Sequence, residues 1–201
     1  SAKPTETATI VNVGDWTHAN DTKSRTPQSD NSLDVDTRHG KVARRSVWIF
    51  RKAIESALQK HSQVRVVIAR GNHDPDAAVG LQITQEAYYE NDPRVEVLRN
   101  DSKVVAHRFG DVQFFTYHGE RDRKRQLEYL TKRFRKEIGT SKKCYVDNGH
   151  IHHKQTEELG PLRFEVWNPL CATDAYHADN LYLGDRSITS VTYHAEYGET
   201  A

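Results

Sequence analysis

The chain has 201 residues, 36% hydrophobic and 28% charged, with 29 Lys+Arg against 28 Asp+Glu and a formal net charge of +1. That length suits a single domain over residues 1–201 with a sizeable core, the charge balance makes any basic footprint a local one, and no apolar run approaches the roughly 20 residues of a membrane helix. Two cysteines, Cys144 and Cys171, stand far apart and outside zinc-like spacing, which argues against a disulfide scaffold and points to a reducing, cytoplasmic setting.

Ser1 to Glu6 carry no secretion signal. Ala8 to Val13 is a short β-branched run closed by Gly14, which predicts a buried strand with Asp15 and His18 at its tip. No strand-like run precedes it, so the expectation is a chain that lacks a native N-terminal segment. Asn20 to Gly40 is a long polar excursion, the composition of a functional loop. Ala43, Val47, Phe50, Ile54 and Leu58 then recur at helical spacing, with Arg44, Arg45, Arg51 and Lys52 elsewhere around the wheel.

Val64 to Ala69 repeats the pattern of apolar strand and polar tip, ending in Gly71-Asn72-His73-Asp74. Residues 76–90 read as a helix. Val95 to Leu98, Val104 to Phe109 and Val112 to Tyr117 read as strands, the last two joined by a Gly110-Asp111 turn. Leu127, Leu130, Phe134 and Ile138 predict one amphipathic helix closed by Gly139. Cys144 to Asp147 is a further strand leading to Gly149-His150, and Arg163 to Trp167 and Ser187 to Tyr197 read as terminal strands. Strands interrupted by helices predict an α/β fold.

Four strand ends carry polar clusters: Gly14-Asp15-Trp16-Thr17-His18, Gly71-Asn72-His73-Asp74, Tyr117-His118-Gly119 and Gly149-His150-Ile151-His152-His153. In layered α/β folds such tips converge on one edge of a sheet, and a glycine at each lets the backbone turn sharply. Imidazole and carboxylate without thiolate suit Mn, Fe, Zn or Ni. Two such ions roughly 3.5–4 Å apart would clamp a phosphate and lower the pKa of a bridging water. A lone histidine such as His61, His107 or His194 is an ordinary surface or core residue; four clusters in order carry the functional reading.

Gly-Asp-x-x-His, Gly-Asn-His-Asp, a lone His-Gly and Gly-His-x-His-His, in that order over residues 8–155, resemble motifs two to five of the calcineurin-like metallophosphoesterases. The resemblance implies a four-layer α/β/β/α sandwich of two mixed sheets flanked by helices. It implies Asp15 as a bridging ligand, with Asn72, His118 and His150 at the second metal and His152 at the first. His73 would be the general acid, oriented by Asp74, and Asp74 has an equal claim as the cap of the following helix. His18 and His153 are adjacent candidates.

The family's first motif, Asp-x-His on an upstream strand, is absent. Asp34, Asp36 and His39 have suitable side chains but lie after the second motif and are not assigned to it. Manganese is the expected metal, two ions in a complete domain and one tightly held here.

The Gly-Asp-x-x-His-x-Asn form is similar to the nuclease branch of that family, the Mre11 and SbcD-like exonucleases, and to phage phosphoesterases. The expected substrate is a phosphate ester, with DNA as a candidate and a homodimer as a candidate assembly. Arg38, in the polar stretch after the motif, and Arg121 are the expected substrate contacts. The basic run Arg121 to Arg125, with Lys132, Arg133, Arg135 and Lys136, reads first as a solvated helix face, and Trp16 and Tyr117 as packing residues. A phosphomonoesterase, a small-nucleotide phosphodiesterase and a weakly active phosphate-binding module are the alternatives.

Overall fold

The computed structural model describes residues 5–35, 37–171 and 185–200; Asp36 lies outside the described residues. The chain divides into two compact units, Ser1–Val105 and Ala106–Ala201.

The first unit runs β1 (Thr7–Asn12), α1 (His39–Leu58), β2 (Gln63–Ile68), α2 (Pro75–Tyr89) and β3 (Val95–Val97). A helix returns the chain between successive strands, so the strands must run the same way. The sheet order is β1-β2-β3 and both pairings are parallel. Asn12 is paired with Ile68, which brings the tips after β1 and β2 to the same edge.

Val64, Val66 and Ile68 of β2 bury themselves against Phe50 and Ile54 of α1 and Ala78, Leu81 and Tyr89 of α2. α1 starts four residues before its apolar stripe, with Arg38 at its N-cap and no side-chain cap bond. Pro75 opens α2, where its missing N–H costs nothing.

The second unit contains β4 (Val105–Phe109) from its second residue on, then β5 (Val112–Thr116), α3 (Arg123–Arg133), α4 (Arg135–Gly139), β6 (Lys143–Asn148), β7 (Gln155–Leu159), β8 (Leu162–Val166) and the two-residue strands β9 (Tyr193–His194) and β10 (Gly198–Glu199). Its main sheet has the order β4-β5-β6-β8-β7. β5, β6 and β8 are parallel, whereas β7 is antiparallel to β8. Two main sheets, each flanked by helices of its own unit, give the α/β class, with the mixed strand directions confined to the second sheet.

The pairing of Thr116 with Asp147 aligns the tips after β5 and β6. Phe134 packs on Phe115 with ring centroids 5.0 Å apart, and Leu130, four residues earlier on α3, is buried.

β1, expected as a buried strand, has only Asn12 buried and leaves Val11 38% exposed, and three further elements differ from the sequence expectation. The single helix over residues 127–138 is two helices, broken at Phe134, whose φ of −117° and ψ of 35° leave the helical region; Gly139 is the last residue of α4, and Thr140 follows as its C-cap. β7 is an additional strand. The long strand over 187–197 reduces to the short β9 and β10 pair, and Ile188 is 81% exposed. No helix of the described residues is long and apolar enough to cross a membrane.

Candidate metal centre

In the first unit the tips after β1 and β2 are tied by two carboxylates. Asp74 is fully buried and accepts from the backbone N–H of Gly71 at 2.9 Å, Asp15 at 3.1 Å and Thr17 at 3.2 Å. Asp15 in turn accepts from the N–H of His73 at 2.8 Å through Oδ1. Each loop therefore holds the other through a carboxylate that it supplies. Asn72 lies between these anchors.

Burial, and after it the charge of Asp15, push the Asp74 carboxyl above its ordinary value, against the pull of the three N–H donors. Asp74 makes no side-chain cap bond to α2, so the capping role expected of it is not made. Nor does a hydrogen bond join it to the His73 ring. That ring is set by His18, whose carbonyl lies 3.0 Å from His73 Nδ1 and whose imidazole stacks on it with centroids 5.3 Å apart. A carbonyl only accepts, so Nδ1 carries the proton and Nε2 is the position open to proton exchange. Asp74 thus braces the two loops through their backbone N–H groups.

The approach of the loops requires a glycine. A Cβ on Gly71 would lie 1.8 Å from Asp15 Oδ1 and 2.3 Å from the Asp15 nitrogen. Asp15 itself has φ 54°, a left-handed conformation that costs free energy in a non-glycine residue and is concentrated at functional sites.

In the second unit the tips after β5 and β6 face one another. Asn148 Nδ2 donates to the Tyr117 carbonyl at 2.7 Å, and the Gly149 N–H to the His118 carbonyl at 2.8 Å. This bracing sets His150 Nδ1 3.2 Å from His118 Nε2, the rings nearly perpendicular at 75°. His118 is 1% exposed. His150 and His152 both have left-handed φ, 68° and 56°. Of the five described non-glycine residues with positive φ, three are thus expected ligands; Ser24 and Asp30, the other two, lie in the polar loop.

His153 is accounted for by its turn: Nδ1 meets the Ile151 carbonyl at 2.8 Å and Nε2 meets Gln155 Nε2 at 2.7 Å. Trp16 packs edge-on against Phe50 and Tyr117 is buried, in keeping with packing roles. Arg38 is exposed at the start of α1, and its side chain forms no hydrogen bond or ion pair with Asp15, Asn72, His73 or Asp74. Arg121, by contrast, lines a cleft of about 270 Å³ with Gly119, Glu120, Gln126, Asn148 and Gly149.

Two residues were not marked by sequence reasoning. Asn148 braces the histidine tips, and an Asn inside an apolar strand next to Gly149 was its signal. Asn20 accepts from the N–H groups of Asp76 and Ala77 and donates to the Asp76 carboxylate at 2.8 Å, fastening the loop after His18 to the first turn of α2.

No family model matches the chain, and no curated protein does. Among solved structures it is similar to a conserved uncharacterized protein of Streptococcus pneumoniae described as a predicted phosphoesterase, at 14% identity and a TM-score of 0.35, over 62% of this chain and 66% of that one. It is also similar to a Thermotoga maritima protein solved by solution NMR, at 15% identity and a TM-score of 0.36, over 56% of this chain and 69% of that one. The match thus spans just under two thirds of the first neighbour. Likeness at this level carries neither fold nor activity across, and the residues themselves must support the function.

Proposed function

We propose that the chain is a metal-dependent hydrolase of phosphate esters of the calcineurin-like metallophosphoesterase type, acting on phosphodiesters. The observation that carries this reading is the His118–His150 pair, two imidazole nitrogens 3.2 Å apart at adjoining strand tips. Nitrogens that close either share a proton or turn their lone pairs to one cation. Paired imidazoles of this kind suit a divalent ion, and Asp15 is proposed as a further ligand. Asn72 and His152 complete the proposed ligands, and manganese is the proposed metal.

A divalent ion held there would polarise a phosphoryl oxygen and make water a competent nucleophile at neutral pH. The chain's own groups supply the rest. Asp15 is held by two backbone contacts, so its carboxylate is positioned before substrate arrives. His73, with its proton fixed on Nδ1 by the His18 carbonyl, offers Nε2 to the leaving oxygen and donates there when the ring is doubly protonated. Arg121 faces a cleft where a phosphate would find a guanidinium.

Hydrolysis of bis-p-nitrophenyl phosphate and of the p-nitrophenyl monoester, each with manganese and after chelation, tests the proposal. The diester should be cut faster, chelation should abolish the reaction, and Asp15→Asn should lower kcat by roughly a hundredfold or more. His73→Ala should lose more rate on an alkyl leaving group than on p-nitrophenolate, which leaves without a proton. A well-folded chain that binds phosphate but hydrolyses neither ester with any of manganese, iron, zinc or nickel would reduce it to a binding module.

A further inference from the structure

We infer that the exposed face of α3 is a docking surface for single-stranded nucleic acid, leading from the cleft at its first turn. The inference deepens the phosphodiesterase reading and rests on it for its purpose, though the binding it describes is measured separately. Residues 121–136 hold eight basic side chains and two acidic ones, a local charge of +6 in a chain of net +1, so the remainder carries −5. Such a separation creates a directional field that a polyanion follows and a neutral partner does not.

The distribution is ordered. Gln126 and Leu130 face the interior, while Lys124, Arg125, Glu128, Tyr129, Lys132 and Arg133 share the exposed arc. Arg123 is tied to Glu157 and Gln155, and Lys132 to Glu128. Lys124, Arg125, Arg135 and Lys136 enter no ion pair among the described residues. A solvated helix face balances its cations with acids at i±4 spacing; on α3 Glu128 alone stands at that spacing, from both Lys124 and Lys132, and it pairs with Lys132.

Tyr129 supplies the second observation. It is 50% exposed on an arc where Arg125 stands four residues before it and Lys132 and Arg133 three and four after. An aromatic ring between cations is the element that stacks an unpaired base while neighbouring charges hold the backbone. Eleven residues of helix extend about 16 Å, enough for several phosphates. The N-terminal end of that track, Asp122, Arg123 and Gln126, lines the same cleft as Arg121, Asn148 and Gly149.

The test is fluorescence anisotropy of a labelled 20-nucleotide oligothymidylate between 50 and 200 mM salt. The unaltered chain should bind with a steep salt dependence. Replacing Lys124, Arg125 and Lys132 with Gln should lower the slope of log affinity on log salt by about 2. Tyr129→Ala should weaken binding roughly tenfold with the slope retained; circular dichroism confirms that each variant is folded. A 20-base-pair duplex should bind more weakly per strand.

Equal affinity for a polyglutamate of matched charge, or an unchanged slope in the triple variant, would overturn the inference. Oligothymidylate binding that ignores Tyr129 and equals duplex binding would do the same. Hydrolysis of bis-p-nitrophenyl phosphate in the same preparation separates the two claims: hydrolysis without binding removes the docking surface, and binding without hydrolysis removes the enzyme.

Discussion

Asp147 sits on β6 directly opposite Glu165 of β8, and its Oδ1 accepts from Trp167 Nε1 at 2.8 Å. Burial, opposed by that hydrogen bond and assisted by the Glu165 charge, pushes its pKa from 3.8 to about 6. Tyr193 is raised as well, by burial and then by the charge of Asp147. For a carboxyl raised on folding, the contribution to stability is intact below the unfolded value and is lost as pH climbs through about 6. Ionised Asp147 therefore destabilises the fold at pH 8, by about 3 kcal/mol at most. Asp147→Asn keeps an acceptor for Trp167 and should raise the urea midpoint at pH 8 while changing little at pH 4. A midpoint that falls at pH 8 would show that the carboxylate is held by more than the indole.

Gly71 makes the converse case, a position where adding one carbon has to move a site residue. Since the Cβ of Gly71→Ala would overlap Asp15 Oδ1 at 1.8 Å, one of the two loops must retreat. The expected outcome is a loss of about 1–3 kcal/mol in stability and at least a tenfold weaker manganese affinity by calorimetric titration. Unaltered affinity would mean that Asp15 is not a ligand. The glycine was visible in the sequence, but its partner was not. The same holds for Asp74: its type and neighbours suggested a cap or an orienting carboxylate, and only the three N–H donors around it show a brace between loops.

At the scale of elements, strands with strong apolar content were legible because burial on both faces selects β-branched runs. β2, buried over most of its length, was read to within a residue. β7, Gln-Thr-Glu-Glu-Leu, was not, since an edge strand paired on one side carries charge against further pairing and its composition mimics a loop. The break at Phe134 was hidden for another reason: a 3.6-residue periodicity continues across a short interruption, so the apolar positions on either side look like one helix. α1 shows the reliable case. Its stripe buries Phe50 and Ile54 at 2% and 0% exposure against β2, and Ile54→Ala should cost about 2–5 kcal/mol by urea unfolding. A cost below 1 kcal/mol would place the stripe outside the core of the first unit.

For the molecule as a whole, the metal hypothesis makes a thermodynamic demand that does not depend on catalysis. An ion that binds the folded chain and not the unfolded one adds stability by mass action, about 2.7 kcal/mol at a hundred times its dissociation constant. Manganese should therefore raise the melting temperature in a concentration-dependent way, and a chelator should reverse the rise. His118 is too deeply buried for its variant to be judged alone, because His118→Ala leaves a cavity whatever the metal does. Asp15→Asn is the better partner variant: it keeps an acceptor for the His73 N–H and removes the charge, so the metal-free melting temperature should hold while the manganese-induced rise is lost. If Asp15→Asn retained the full rise, the ion would be bound elsewhere, and the strained backbone at Asp15, His150 and His152 would need another explanation.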